Sequence, residues 1–459
     1  MSLLVAVAFS VFSFAPQGSQ SSPEVLTAAE QKSLHDKLAD YIKAWTEYDD
    51  AQDKARDRAV KAYAKSKDAF FKDWDLKNAK KGDIMKSPAD LRAIFSNCFI
   101  YEKRNALSIR KFDVKGPVPA HFLMVPPSYK AEKPSRTVLL IPGQDEAGNW
   151  VDGQRYFEAT WDKSASVAEA IFHIPVFTKE LDLTTMPDYG KTGAEEQEKQ
   201  RNAELLGSFG ETQRNYNLDR ARTILDAGKG ACSYALRAVT HFPGTFAGLV
   251  LRSPDASATE ALRLGSLNGM PILLLSSAQT DADCNKLKER IDALTKGSCT
   301  VLKTTDAYPF KAAAPEIEKW VATVKRDVNK QHIVIEPNDD RWRSAYWVRI
   351  QTMESIFASP KDKRPRMEVT ADRSTNRITV TAVGIESFTL MLNDSLVDLD
   401  KEFIVLVNDV ARPQKLSRDL NRTIGFVRQR FDGDYIFPVE YTTKVPKPEA
   451  SAVTGGADK

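Results

Sequence analysis

Apolar residues recur at three- and four-residue steps from Leu34 through Leu38, Tyr41, Ile42, Trp45 and Tyr48, the spacing of one helix face. Aromatic residues continue at Tyr63, Phe70, Phe71 and Trp74, in a stretch rich in Ala, Lys, Asp and Glu and nearly free of Gly and Pro. The pattern predicts a charged helical hairpin or a long helix packed on the next domain. A partner-binding coiled coil is the alternative, although the apolar spacing does not sustain a heptad. Ser87-Pro88-Ala89-Asp90 reads as another helix start, with Ser at the N-cap and Pro in the first helical position.

From about Tyr101 the pattern changes to short apolar runs that alternate with helical stretches. His121–Val125 is stopped by Pro126-Pro127, and Thr137–Ile141 is a continuous apolar run ending at Pro142-Gly143, as expected of a buried parallel strand. Thr223–Asp226 runs into the Gly-rich turn Ala227-Gly228-Lys229-Gly230-Ala231, followed by a helix over about Cys232–His241. Gly248–Leu251, Pro271–Leu275 and Cys299–Leu302 are further strands, with helices over about Cys284–Leu294 and Pro315–Arg326. This alternation predicts an α/β fold, a mainly parallel sheet flanked by helices. The polar, acidic segment Lys179–Arg201 reads as an inserted loop or a helical cap over the carboxyl edge of the sheet.

Beyond Val328 the period becomes that of strands: Arg366–Val369, Arg377–Thr381, Phe388–Leu392 and Phe403–Val407, separated by turn residues, predict a small antiparallel β domain. At the other end, Leu3–Ala15 is an apolar run of leader-peptide length, too short to span a bilayer, with a polar Ser/Gln-rich stretch behind it. No Lys or Arg precedes it, so the pattern rather than the charge carries the expectation of export to the periplasm or cell envelope. The expected division is a leader over 1–22, a helical region over 23–100, an α/β domain over 101–330, a β-rich domain over 331–445 and a disordered tail over 446–459. No later stretch is apolar enough to span a membrane.

Composition sharpens this picture mainly by exclusion. A net charge of +3, from 65 basic and 62 acidic residues, argues against a nucleic-acid or membrane-surface binder driven by bulk charge. Five histidines (His35, His121, His173, His241, His332) and four cysteines (Cys98, Cys232, Cys284, Cys299) form no zinc-module spacing, and nothing points to a metal or cofactor. Any histidine-dependent mechanism must use one of those five. In an exported chain Cys284 and Cys299, which flank one helix, are the more plausible pair, and the sequence alone does not establish it.

The order of pieces over 101–330 resembles the α/β-hydrolase fold, particularly bacterial esterases of the dienelactone-hydrolase and feruloyl-esterase type. The resemblance rests on Phe122–Tyr129 (FLMVPPSY), Val138–Gly143 (VLLIPG), Tyr216–Arg222 (YNLDRAR) and Phe242–Gly248 (FPGTFAG), in matching order and spacing. It implies a nucleophile at the centre of G-x-S-x-G, on a sharp strand-to-helix turn. The aligned residues here are Asp226-Ala227-Gly228-Lys229-Gly230, and Gly228 has no side chain to serve. The histidine place falls at about Tyr308, with no histidine within twenty residues. Only the acid position survives, as Asp281 or Asp283, and an Asp alone does no acyl chemistry. Pro142-Gly143-Gln144-Asp145 stands in place of the oxyanion element, where a carboxylate would repel a developing oxyanion.

These losses together imply a degenerate triad and a binding or scaffolding protein of the cell envelope. The alternative is a working hydrolase on ester or acylated-carbohydrate substrates, using Cys232, Ser233 or carboxylates in a relocated site. On the first reading Gly143, Gln144 and Lys229 are the ligand-binding candidates, because backbone amides and a Lys at a helix N-terminus favour anions. Lys229 has a blander role open to it, pairing with Asp145, Asp226 or Asp281; a metal site from Asp226, Asp281 and Asp283 lacks any sign of convergence. The expected partner is a small molecule or an envelope protein, with no nucleic acid. If the alignment is right, Gly228→Ser with Tyr308→His should give weak esterase activity. A third reading, interaction through the N-terminal helices, expects deletion of 24–75 to abolish partner capture and leave the hydrolase domain folded.

Of the histidines outside the triad loop, His121 and His173 read as core residues with backbone partners, and His241 as a cation suited to a helix C-terminus. Asn338–Ile350 and Phe388–Asn408 resemble an appendage behind the hydrolase domain of exported, esterase-like proteins of planctomycete-type bacteria. Within it Asp394, Asp398 and Asp400 lack the Gly and Glu of a calcium loop and read as a hairpin turn with solvated charges. Trp342, Tyr346 and Trp347 are either a carbohydrate platform or, more simply, packing.

Overall fold

The first helix, α1 (Ala28–Asp50), begins at a capping box: the Glu30 amide donates to Thr27 Oγ1 and the Thr27 amide donates to the Glu30 carboxylate. Helix α2 (Lys54–Lys81) folds back on it as a hairpin, and α3 (Pro88–Phe95) starts at the Ser87 cap. The computed structural model describes residues 24–188 and 193–446, so the leader expected over 1–22 and the tail beyond Pro446 lie outside the described residues. Leu34, Leu38, Tyr41, Phe70 and Trp74 bury their side chains against Ile94 and Phe95 of α3. The same cluster takes in Ile424 and Val427 from α9 (Leu420–Arg430), close to the other end of the chain. There Arg428 lies over the Trp45 ring at 4.1 Å and pairs with Asp49. No described helix is long and apolar enough to cross a membrane.

Removing 24–75 would uncover part of this clasp outside the hydrolase domain. Each large apolar side chain stripped of cover forfeits roughly 1.5–3 kcal/mol, and Ile94, Phe95, Ile424 and Val427 would all lose it. A chain lacking 24–75 is expected to bind more of a hydrophobic dye and to melt below the full chain. Identical melting curves would show that the clasp contributes nothing.

The central sheet has eight strands: β1 (Leu107–Phe112), β2 (His121–Val125), β3 (Ser135–Ile141), β4 (Ile171–Pro175), β5 (Leu218–Ala227), β6 (Gly248–Arg252), β7 (Ile272–Ser276) and β8 (Cys299–Lys303). Their order is 1-2-4-3-5-6-7-8, and β2 alone is reversed against its neighbours. Strands β2, β4, β6 and β7 are buried along their whole length, as their unbroken apolar runs require. Helices α4 (Gly153–Thr160), α5 (Ala194–Asn215), α6 (Cys232–His241), α7 (Asp281–Asp292) and α8 (Ala314–Thr323) cover the two faces. Strand β5 is longer than the expected Thr223–Asp226, because β3 pairs with its polar first half as well, Ser135 opposite Leu218. Helix α5 is no cap over the carboxyl edge. It packs on the sheet, and Thr212 and Ser208 hydrogen-bond the two ring nitrogens of His173 in β4.

The C-terminal domain pairs two sheets. One holds β10 (Ser344–Ala345), β11 (Val348–Met353), β14 (Ile385–Leu392) and β17 (Val439–Lys444). The other holds β9 (His332–Ile335), β12 (Arg366–Asp372), β13 (Arg377–Val383), β15 (Phe403–Val407) and β16 (Val410–Gln414). Pairing is antiparallel except between β13 and β15, which run parallel. Trp347 and Tyr346 are core residues here, and Trp342 packs on His241 and Phe242 of the central domain. The turn carboxylates Asp394 and Asp400 pair with Arg418, and Asp398 pairs with Lys401, while Asp400 stays exposed to water.

Candidate functional site

Strand β5 delivers Ala227 to the carboxyl edge of the sheet, and the chain turns at once into α6. The Ala231 amide donates to the Gly228 carbonyl at 2.9 Å, and Gly230 takes φ +83°, a conformation that favours glycine. This is a strand–tight turn–helix elbow with Gly228 where a nucleophile would stand.

Around Gly228 there is no room for a side chain. A Cβ built on it would lie 2.3 Å from Tyr156 Oη and 2.6 Å from both the Cα and the nitrogen of Gly143. A Cβ on Gly143 would lie 2.0 Å from Tyr308 Oη and 2.7 Å from the Lys229 nitrogen. Two glycines therefore pack backbone to backbone, and two tyrosines close over them. In this fold the amide after the nucleophile and one from the loop after the third strand form the oxyanion hole. Here the Lys229 amide donates to Tyr308 Oη at 3.1 Å, and the Gln144 amide donates to the Lys229 carbonyl at 2.9 Å. Burial pushes the Tyr308 phenol up to about 12 and that of Tyr156 well above its usual value, so both stay neutral.

The tyrosine is set by charges beneath the elbow. Arg252, ending β6, donates to the Pro309 carbonyl at 2.7 Å and grips Asp226 of β5 through Nε and Nη2 at 2.8–3.2 Å. Trp161 Nε1 donates to the same carboxylate at 2.8 Å. All three residues are buried. Burial disfavours the Arg252 charge, but the Asp226 carboxylate outweighs it and holds that pKa above its usual value.

The sequence candidates are only partly brought together. Gly143, Gly228, Lys229 and Tyr308 meet at the elbow, and Gln144 lies along it, its Oε1 against Gly230. Asp281 stands apart at the start of α7 and pairs with Lys303 at 2.7 Å. The Lys229 side chain is exposed and makes none of the expected ion pairs: Asp226 belongs to Arg252, Asp281 to Lys303, and Asp145 accepts from the Asn149 amide. Cys232 is buried, its thiol pushed up by desolvation and directed at the Gly228 carbonyl at 3.3 Å. Ser233 is buried too, donating to the Ala258 carbonyl at 3.0 Å. Among the described residues no cluster suited to a metal occurs, and all four cysteines are free and buried, Cys284 and Cys299 included.

Sequence reasoning missed Tyr156, Trp161 and Arg252. Arg252 had a visible signal, a cation closing the otherwise apolar strand Gly248–Leu251.

His241 corrects another expectation. Burial lowers its pKa to about 4 although Glu198 and Asp339 pull the other way, so at neutral pH it is uncharged. Glu198 is already held by Arg237 at 3.1 Å and Arg201 at 3.0 Å. An unfolded histidine takes up a proton near its ordinary 6.5, and the folded one does not until about 4. Stability is therefore complete above 6.5 and declines as pH falls from 6.5 to 4, by at most roughly 3 kcal/mol from this residue. His241→Gln should lessen the loss of stability between pH 7 and 5 in urea titrations, and an unchanged difference would refute this assignment.

No family model and no curated protein matches the chain. Among solved structures it is similar to a thermostable esterase, at 16% identity over 48% of this chain and 63% of that one, with a TM-score of 0.35. The S-formylglutathione hydrolase of Staphylococcus aureus matches at 9% identity over 48% of this chain and 97% of that one, also at 0.35. A serine hydrolase without a lid from Xanthomonas campestris matches at 11% over 48% and 97%, at 0.32. The chain thus spans under two thirds of the esterase. The strand order 1-2-4-3-5-6-7-8 with β2 alone reversed, and the elbow between β5 and α6, make the central domain an α/β-hydrolase fold.

Proposed function

We propose that the central domain is a hydrolase fold whose catalytic centre is closed, and that the protein serves as a binding or scaffolding element of the cell envelope. The observation that carries this reading is the packing of Gly228 on Gly143 beneath Tyr156 and Tyr308, in the volume where a nucleophile and an oxyanion would meet. Both amides that would receive the oxyanion already have partners. The burial of Cys232 and Ser233 speaks against a relocated nucleophile. Envelope placement rests on the apolar run Leu3–Ala15, and the partner is a small molecule or an envelope protein.

Purified protein is expected to release p-nitrophenol from p-nitrophenyl acetate or butyrate no faster than buffer does. Cys232→Ala and Ser233→Ala should leave that background unchanged. Enzymatic turnover, above all turnover abolished by either substitution, would overturn the reading.

A further inference from the structure

The loop that leaves β3 does other work. It doubles back through a Gln144–Trp150 bridge, with the Asp145 amide donating to the Asn149 carbonyl and the Val151 amide to the Gly143 carbonyl. This turn holds Trp150, 42% exposed, at the mouth of a cavity of about 280 Å³ at the carboxyl ends of β3 and β4. Open α/β sheets hold ligands at that edge.

The cavity walls are apolar: Phe122, Phe177, Leu181 and Leu183 line it with Trp150. Gly153 has no side chain to intrude on Phe122, whose ring would lie 2.7 Å from a Cβ there. The charged lining is mostly basic. Lys111 and Lys179 are exposed, and among the described residues Lys111 pairs with the exposed Asp113 alone, at 3.4 Å. The one acidic lining residue, Asp152, spends an oxygen capping α4. Nearby Glu204 has both oxygens bound by Thr178.

The geometry points to a binding site for a monocarboxylate with an unbranched apolar tail, the tail under Trp150 and the carboxylate at Lys111 and Lys179. At roughly 30 Å³ per atom the cavity holds about nine heavy atoms, room for the seven-carbon tail of an eight-carbon acid whose carboxylate lies at the rim. The inference rests on the proposed binding role and gives it a ligand class.

Octanoate titrated into the full chain, followed by calorimetry, is expected to bind saturably, and acetate not to. 1-Octanol should bind roughly tenfold more weakly and octylamine no better than octanol. Replacing Lys111 and Lys179 together by Ser should bring octanoate down to the level of octanol and leave octanol unchanged. Trp150→Ala should weaken both about fivefold or more. All three residues are exposed, and unchanged melting curves verify that the variants fold. No saturation by octanoate, equally tight binding of octanol, or octanoate binding indifferent to either variant overturns the site. That failure leaves the absence of hydrolysis standing, whereas turnover of p-nitrophenyl butyrate refutes the closed centre whatever octanoate does.

Discussion

Gly228→Ser, alone or with Tyr308→His, yields no esterase and a chain less stable by about 3 kcal/mol or more, since overpacking here meets backbone rather than a movable side chain. The new Cβ falls 2.6 Å from the Cα and nitrogen of Gly143, which cannot retreat without dragging the end of β3. The steric conflict therefore leads us to expect no restoration by this pair, against what alignment alone implies. Adding Tyr156→Phe removes the 2.3 Å approach of the phenol oxygen and should return only part of the lost stability. The check is urea denaturation of the three variants beside a p-nitrophenyl butyrate assay. A Gly228→Ser protein as stable as the parent would mean the elbow is roomier than described.

Arg252→Met is expected to cost about 3–5 kcal/mol, because it leaves the buried Asp226 carboxylate without its cation. It also frees the Pro309 carbonyl, one of the anchors that set Tyr308. Combined with Asp226→Asn, which keeps an acceptor for Trp161, the loss should shrink to a fraction of that, because the uncompensated charge has gone. Urea titrations of the two single variants and the double give the coupling directly. A loss under about 1 kcal/mol for Arg252→Met would show the pair to be dispensable.

Much of the fold was legible because local chemistry and burial agree. Ser87-Pro88 begins α3, Cys232–His241 is α6 residue for residue, and Phe403–Val407 is β15. Legibility failed where tertiary contact overrides pattern. The polar half of β5 is a strand because β3 pairs with its start, and the parallel pairing of β13 and β15 is set by the chain path between them. At the site, Gly228 in the turn after β5 and Tyr308 beside it were both readable as candidates. What they do to each other was not. Closure depends on Gly143, Tyr156, Gly228, Arg252 and Tyr308, drawn from five separated segments that no short motif joins.

The helical clasp also orders events during synthesis. Asp49 and its partner Arg428 are 379 residues apart, so the apolar face of α1 and α2 waits for α9 until nearly all the chain has been made. The central domain completes its own sheet from nearer neighbours in that interval, whereas β17, which finishes the four-stranded sheet of the C-terminal domain, follows α9. The N-terminal hairpin is then among the last parts to gain its full cover, and a chain arrested before α9 carries an uncovered apolar surface for a holding chaperone to bind.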